Sequence, residues 1–263
     1  MAPIRVIVHG ALGKVGREIV RALTLDVDTQ LVGAVDVAAA GGGLSLPDES
    51  GEVPLSTDVN AIIDTCRPEV LVDFTVAAAV MPMVRIATGK GIHLVIGTTG
   101  LSADNLDEIG RLAKDNEVGA VVAPNFALGA VLMMHLAQVA GRYFDYAEII
   151  ELHHDQKADA PSGTARATAR GMLENRGKPF SLPRQKQPFP SRGEQMDGIS
   201  LHSVRLPGLL AHQEVLLGGQ GQTLSIRHDT ISRECFMPGI LMAVKEVQKH
   251  RGLVYGLDKL LAL

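Results

Sequence analysis

The sequence predicts an α/β chain of two domains, a doubly wound and mostly parallel sheet followed by an α+β domain with a mixed open sheet. Three observations carry that expectation. Strand-like and helix-like segments alternate as far as residue 126. A glycine-rich turn closes the first strand and opens the first helix. Beyond residue 198, three strand-like runs follow one another over short links. The 263 residues suit two domains, and 46% hydrophobic content allows a sizeable core.

Taken in order, Ile4 to Val8 is a β-branched, apolar run that reads as a buried strand. Gly10, Ala11, Leu12, Gly13, Lys14, Val15 and Gly16 then form a GxxGxxG turn, followed by a helical period at Ile19, Val20 and Leu23. Such a turn lets backbone approach a pyrophosphate, and the helix start supplies oriented N–H groups. Leu31 to Val35 is a second strand ending at Asp36, 20 residues past Gly16, where a carboxylate meets an adenosine ribose. Strand, glycines, helix, strand and acid in register predict a Rossmann-like dinucleotide-binding domain. No arginine follows Asp36, since Val37 and Ala38 come next. That tilts the choice toward NADH without excluding NADPH, whose 2′-phosphate would fall to Lys14 or to a side chain from elsewhere.

Ala38 to Thr57 is aperiodic and reads as a surface loop. Val59 to Cys66 is a short helix, and Val70 to Thr75 a third strand with Asp73 and Thr75 at its ligand-binding end. Ala77 to Thr88 is helical, with Pro82 in its first turns. Ile92 to Ile96 is a strand that runs into Gly97, Thr98, Thr99 and Gly100, small residues against which a nicotinamide and its ribose can lie. Ser102 caps a helix reaching Asn116, and a strand over Gly119 to Ala123 closes on Pro124, Asn125 and Phe126. Leu128 to Ala140 is an apolar helix in which Met133 and Met134 read as core filling.

A strand over Ala147 to Leu152 leads into the most polar crossing in the chain, with His153, His154, Lys157 and Pro161-Ser162-Gly163-Thr164 close together. Two histidines and a lysine are costly to desolvate, so packing does not explain them. An imidazole titrates near neutrality and a lysine carries a proton, which suits acid–base work. Ser162-Gly163-Thr164 opens a helix over Thr164 to Arg176, where free N–H groups grip a carboxylate. His153 and His154 beside Asp155 also suit a metal, but no third convergent ligand is evident, and no metal is expected. Asp159 reads as a salt-bridge or capping partner of Lys157 rather than a catalyst. Gly177 to Gln195 is a Pro-rich connection whose Lys186 and Arg192 read as solvated loop. Ile199 to Leu206, His212 to Leu217 and Gln222 to His228 are strands, and Arg205, His212 and Arg227 suit either a pocket or an oligomer interface. Pro238 to His250 is a helix that returns to the first domain. The expected domains are residues 1–126 with 232–263, and residues 127–231.

Net charge of -4 and 3% aromatic content argue against a nucleic-acid surface. Apolar runs fall short of a membrane span. The start lacks a signal-peptide pattern, and Cys66 and Cys235 fit a reducing cytoplasm.

The segment from Glu151 to Ala165 closely resembles the signature of the 4-hydroxy-tetrahydrodipicolinate reductase (dihydrodipicolinate reductase) family of lysine and diaminopimelate biosynthesis. Val8 to Gly16, Gly97 to Gly100, Ala123 to Phe126 and His228 to Gly239 are similar to the family's other blocks, in its order. The resemblance implies NADH- or NADPH-dependent reduction of a small cyclic imine with two carboxylates. It implies nucleotide contacts from Gly10 to Val15, Asp36, Gly97 to Thr99 and Ala123 to Phe126, with Arg233 helping to shape an interdomain site that also serves the cofactor. It implies His153 as catalytic acid–base group, Lys157 as proton donor, and His154, Gly163 and Thr164 as substrate-binding positions. A homotetramer built through the second domain's sheet follows in the same way, and that domain is expected to clamp substrate over the nicotinamide. Two departures stand out: Val37 where many members carry arginine, and Leu206 to His212 where many carry a GGxxGxH loop. The competing readings are another two-domain amino-acid or semialdehyde dehydrogenase, and a catalytically silent NAD-binding regulator.

Overall fold

A computed structural model describes residues 2–183 and 190–263. Lys186 lies outside the described residues. The chain divides into two compact units, Met1–Leu128 with Phe236–Leu263, and Gly129–Cys235.

The first unit is an open sheet of eight strands. In chain order it contains β1 (Ile4–His9), α1 (Lys14–Leu25), β2 (Thr29–Val35), β3 (Gly43–Ser45), β4 (Glu52–Ser56), α2 (Val59–Cys66) and β5 (Val70–Asp73). There follow α3 (Ala77–Gly89), β6 (His93–Ile96), α4 (Ala103–Asp115), β7 (Gly119–Val122) and the start of α5 (Leu128–Gly141). The returning segment adds α7 (Met237–Val247), β13 (Gly252–Tyr255) and the single turn α8 (Leu257–Leu260), numbered by their place in the whole chain. The strand order is β13-β7-β6-β5-β1-β2-β4-β3, parallel throughout except for β3 on β4. The order reverses at β1, flanked by β2 and β5, which opens a crevice at the carboxyl ends of the strands.

The strands read as continuous apolar runs because both faces are covered. Ile7, Leu71, Leu94 and Ala120 sit in a core with Ile62 and Ile63 of α2, Met83 and Val84 of α3 and Ile109 of α4. Ser102 caps α4 through Asn105 N–H, and Asn105 returns the bond to Ser102 N–H. Asp58 caps α2 in a similar way by accepting from Asn60 and Ala61 N–H. Lys245 of α7 bridges Asp26 at 2.9 Å and Asp28 at 2.8 Å, tying the returning helix to the end of α1.

The second unit holds most of α5, then β8 (Tyr146–His153), α6 (Gly163–Arg176), β9 (Glu194–Met196), β10 (Ile199–Arg205), β11 (Ala211–Gly219) and β12 (Gln222–Thr230). Its sheet runs β12-β11-β8-β10-β9, with β8 and β10 parallel and the other pairs antiparallel, so it is mixed. Alternation puts Ala147 and Ile149 of β8, Ile199 and Leu201 of β10, and Val215 and Leu217 of β11 on one face. Ala165, Ala169 and Met172 of α6 and Ala137 of α5 cover that face. Glu148, Ile150 and Leu216 are half-buried on the other face, and most of β12 is exposed.

Several expectations need correction. Residues 38–57 are not all loop, because β3 and β4 form a small hairpin there. Beyond α7 stands a strand that was not expected: β13 pairs in parallel with β7 as an edge strand of the first sheet. Strand β9 lies inside the segment expected to be a connection. Arg192 is no solvated loop residue, since it pairs with Glu148. The returning segment starts at Phe236, so Arg233 belongs to the second unit.

Candidate active site

The first unit gathers the glycine turn and the strand-end residues along one edge of its sheet. Gly10 has φ of +87°, a conformation open chiefly to glycine, and an added Cβ would stand 2.6 Å from Phe74 O. At Gly16 an added Cβ would stand 1.9 Å from Gly10 O, so helix and turn approach as closely as backbone allows. Helix α1 starts at Lys14 behind Gly13, which offers no side-chain cap. Its first N–H groups therefore lack a capping side chain, which suits a pyrophosphate. Asp36 is 7% exposed and accepts from Leu12 N–H at 2.9 Å and Ala38 N–H at 2.9 Å. This strand-end acid is thus fastened to the glycine turn itself. Val37 beside it is 91% exposed.

The Gly97 to Thr99 segment is held by Asp73, which is fully buried. Asp73 accepts from Thr98 Oγ1 at 2.6 Å and Thr75 Oγ1 at 2.9 Å, and lies 2.8 Å from His9 Nδ1. Thr75 N–H donates to Thr98 Oγ1 at 2.7 Å. One buried carboxylate thereby links the ends of β1, β5 and β6. Ala11, Ala123 and Phe126 are each at most 2% exposed, so they offer main chain rather than side chain to a ligand. Phe126 rests on Phe74 with ring centroids 5.6 Å apart. Asn125 Oδ1 accepts from Ala127 N–H and shapes the turn after β7. Thr98, Thr99 and Pro124 line a cavity of about 70 Å³ whose wall includes Tyr255 of β13, a residue the sequence did not single out. Glycine turn, free helix start and strand-end acid fit a dinucleotide.

The second unit carries the polar crossing. His153 ends β8, and its Nδ1 lies 2.5 Å from Glu151 Oε2. Strand alternation turns Glu151 to the same face as Ala147 and Ile149, and it is fully buried. Arg205, the register partner of His153 on β10, grips both Glu151 oxygens at 2.9 and 2.8 Å. Ser162 N–H donates to Glu151 Oε1 at 3.2 Å, and Ser162 Oγ caps α6 by accepting from Ala165 N–H. Burial alone would push the Glu151 carboxyl up, but hydrogen bonds from His153, Arg205 and Ser203 more than offset it and bring it to about 2. An ionised carboxylate only accepts, so Nδ1 of His153 carries the proton and Nε2 is left for exchange.

Lys157 Nζ lies 2.6 Å from Asp159 Oδ1. The Asp159 carboxyl is held below its usual range mainly by Lys157, with a further contribution from Gly163 N–H at the start of α6. A carboxylate therefore already sits between an ammonium and a helix N-terminus. Arg205 also donates to Asp159 O at 2.5 Å, tying down the crossing. His154 is exposed and its side chain has no hydrogen-bond partner among the described residues. Gly163 and Thr164 open α6, Gly163 exposed and Thr164 half-buried.

Arg233 sits exposed at the start of a 3-10 turn, and the division of the chain assigns it to the second unit. His212 pairs with Asp229 at 2.7 Å, and Arg227 with Asp229 and Glu214. Among the described residues no group of three metal-binding side chains converges, and no helix is long and apolar enough to cross a membrane.

A glycine turn with its strand-end acid on one unit, and an acid–base set beside a helix N-terminus on the other, define a nicotinamide-dinucleotide oxidoreductase of two domains. Family models place it more narrowly. The model described as "Dihydrodipicolinate reductase, N-terminus" matches residues 4–126, and "Dihydrodipicolinate reductase, C-terminus" matches residues 129–261. The chain belongs to the dihydrodipicolinate reductase family. It is 55% identical over 263 residues to a 4-hydroxy-tetrahydrodipicolinate reductase of Dehalococcoides mccartyi, covering 100% of both chains. It is 52% identical to the enzyme of that name from Moorella thermoacetica, covering 99% of each. Among solved structures, a dipicolinate-bound dihydrodipicolinate reductase from Paenisporosarcina sp. TG-14 superimposes with a TM-score of 0.87 at 41% identity, over 98% of this chain and 99% of that one. An amine dehydrogenase from Mycobacterium smegmatis, at 16% identity and a TM-score of 0.67, shares the fold alone.

Proposed function

We infer that this chain reduces 4-hydroxy-tetrahydrodipicolinate to tetrahydrodipicolinate with NADH or NADPH, a step of lysine and diaminopimelate biosynthesis. The observation that carries this reading is the crossing from Glu151 to Thr164, where an oriented imidazole, an ammonium and a helix N-terminus meet on one segment in a chain of this family. Bound NAD(P)H supplies the hydride, which adds to the unsaturated ring as water is lost.

The chain's own residues do the rest. Gly10 to Val15 and the start of α1 bind the pyrophosphate, Asp36 the ribose, and the main chain of Gly97 to Thr99 and Ala123 to Phe126 the nicotinamide end. Asp36 with exposed Val37 supports NADH as the better cofactor, because a buried carboxylate repels a 2′-phosphate and no arginine stands beside it. Gly163 and Thr164 N–H take one substrate carboxylate in the place Asp159 holds, with His154 beside it. Lys157, released from Asp159, gives the proton that the reduced ring needs, and His153 exchanges its proton through Nε2. Arg233, exposed in its 3-10 turn, is the remaining cation of the cofactor set.

The half-polar face of the second sheet and the exposed β12 edge support a homotetramer built through that sheet. The cytoplasm is the compartment this reading implies, with Cys66 and Cys235 as free thiols.

Deuterium placed at nicotinamide C4 tests the reaction class. Mass analysis of the product formed from the dihydrodipicolinate synthase product is expected to show one deuterium in the ring. A product reduced without deuterium contradicts direct hydride delivery.

A further inference from the structure

We propose that Glu151 is the positioning residue of this site: it orients His153, and through Arg205 it fastens the segment bearing Lys157, without itself meeting substrate. The inference rests on the reductase reading above and deepens it.

Glu151 is fully buried, at a strand position where alternation calls for an apolar side chain. A carboxylate there is costly unless every lone pair is met. Its partners are not scattered. Apart from Ser203, each belongs to, or directly holds, a part of the acid–base machinery. Oε2 takes His153 Nδ1, Oε1 takes Ser162 N–H immediately before Gly163, and both oxygens take the Arg205 fork. Arg205 then donates to the main-chain oxygen of Asp159, two residues past Lys157. One side chain thus sets the imidazole's tautomer and ring plane, the first turn of α6, and the crossing between them. Solvent access is consistent with that division: the His153 side chain is 14% exposed and that of Lys157 23%, while Glu151 has none. A buried pair kept only for stability has no need to end on an imidazole, a helix start and the main chain beside a lysine.

The geometry has a chemical consequence. While Glu151 is ionised, Nδ1 of His153 must present its proton inward, so Nε2 faces outward as the exchanging atom. A glutamine at 151 can turn its amide nitrogen toward Nδ1, which favours the opposite tautomer and blocks Nε2 as an acceptor.

The test uses the full chain with Glu151→Gln, His153→Gln and the double variant. Imidazole nitrogen spectra of the ligand-free protein are expected to show His153 protonated at Nδ1 in the wild type, and to lose that signature in Glu151→Gln. In turnover, Glu151→Gln is expected to lower kcat about 10- to 100-fold, the usual effect of removing a partner that orients a reacting group, with KM for the dinucleotide unchanged. Adding it to His153→Gln is expected to cost little more, because both changes remove one function. Should Glu151→Gln fold poorly, Glu151→Leu with Arg205→Met removes both charges together and leaves none unpaired. The same kcat loss is expected from it once circular dichroism shows the native fold. A kcat within about twofold of wild type in a folded variant, or losses that multiply in the double variant, would overturn the proposal. Wild-type turnover reports separately on the reductase reading, and the nitrogen spectra need no substrate at all.

Discussion

Glu151 has an acid-range consequence. Its folded-state carboxyl is at about 2 against 4.5 for the ordinary group, so it is depressed by its partners. A depressed carboxyl contributes stability that is fully present above about pH 4.5 and is lost as pH falls toward 2. Urea unfolding across that window should show wild-type stability falling steeply, and a Glu151→Gln variant, already weaker at neutral pH, falling less. Equal slopes for the two proteins would contradict the assignment. Asp159 is the opposite kind of residue, exposed and paired with Lys157. Its replacement by Asn should change kcat less than about fivefold, as exposed pairs contribute little, and KM for substrate should not rise. Val37 offers a gain of function: Val37→Arg on its exposed position should raise kcat/KM for NADPH about tenfold with little change for NADH, as one good charge-assisted contact to a phosphate allows. His153 and Lys157 were singled out because a histidine pair and a lysine are costly to desolvate, and Gly163 and Thr164 because they open a helix. Glu151 was not singled out, and Arg205 was left between a pocket and an oligomer interface, although period-2 alternation places Glu151 with Ala147 and Ile149 on the core face. A buried carboxylate needs a partner, and that partner comes from another strand, which periodicity cannot show.

At the scale of elements, the turn from β1 into α1 is the tightest part of the first unit. Gly16→Ala would set a Cβ 1.9 Å from Gly10 O, where only backbone can yield. Overpacking of this kind costs about 1–3 kcal/mol, and NADH titrated by fluorescence should bind at least about tenfold more weakly. Unchanged affinity would mean that α1 does not approach the pyrophosphate as described. Most strands and helices were legible from local pattern, including the Ser102 cap of α4. The misses share physical causes. Pro54 in β4 and the glycines before β3 read as breakers, yet Pro is tolerated where its missing N–H is not needed. Strand β9 is three polar-leaning residues, and β13 only four, too short for a period. Moreover, β13 exists because β7, far away in sequence, offers it an edge.

Across the whole molecule, each unit contributes a set of groups that has little use alone: one fits a dinucleotide, the other brings an imidazole, an ammonium and a helix N-terminus together. Family membership over residues 4–126 and 129–261 spans both sets. On the reading proposed above, the crossing from Glu151 to Thr164 performs the proton chemistry of 4-hydroxy-tetrahydrodipicolinate reduction. The most direct test of that reading is oxidation of NADH and of NADPH driven by freshly made dihydrodipicolinate synthase product, on the wild type and on Lys157→Ala. Substrate-dependent oxidation by the wild type, with kcat lowered about 10²- to 10⁴-fold in the variant, is the predicted result. No oxidation by the wild type, or undiminished turnover by Lys157→Ala, would contradict it.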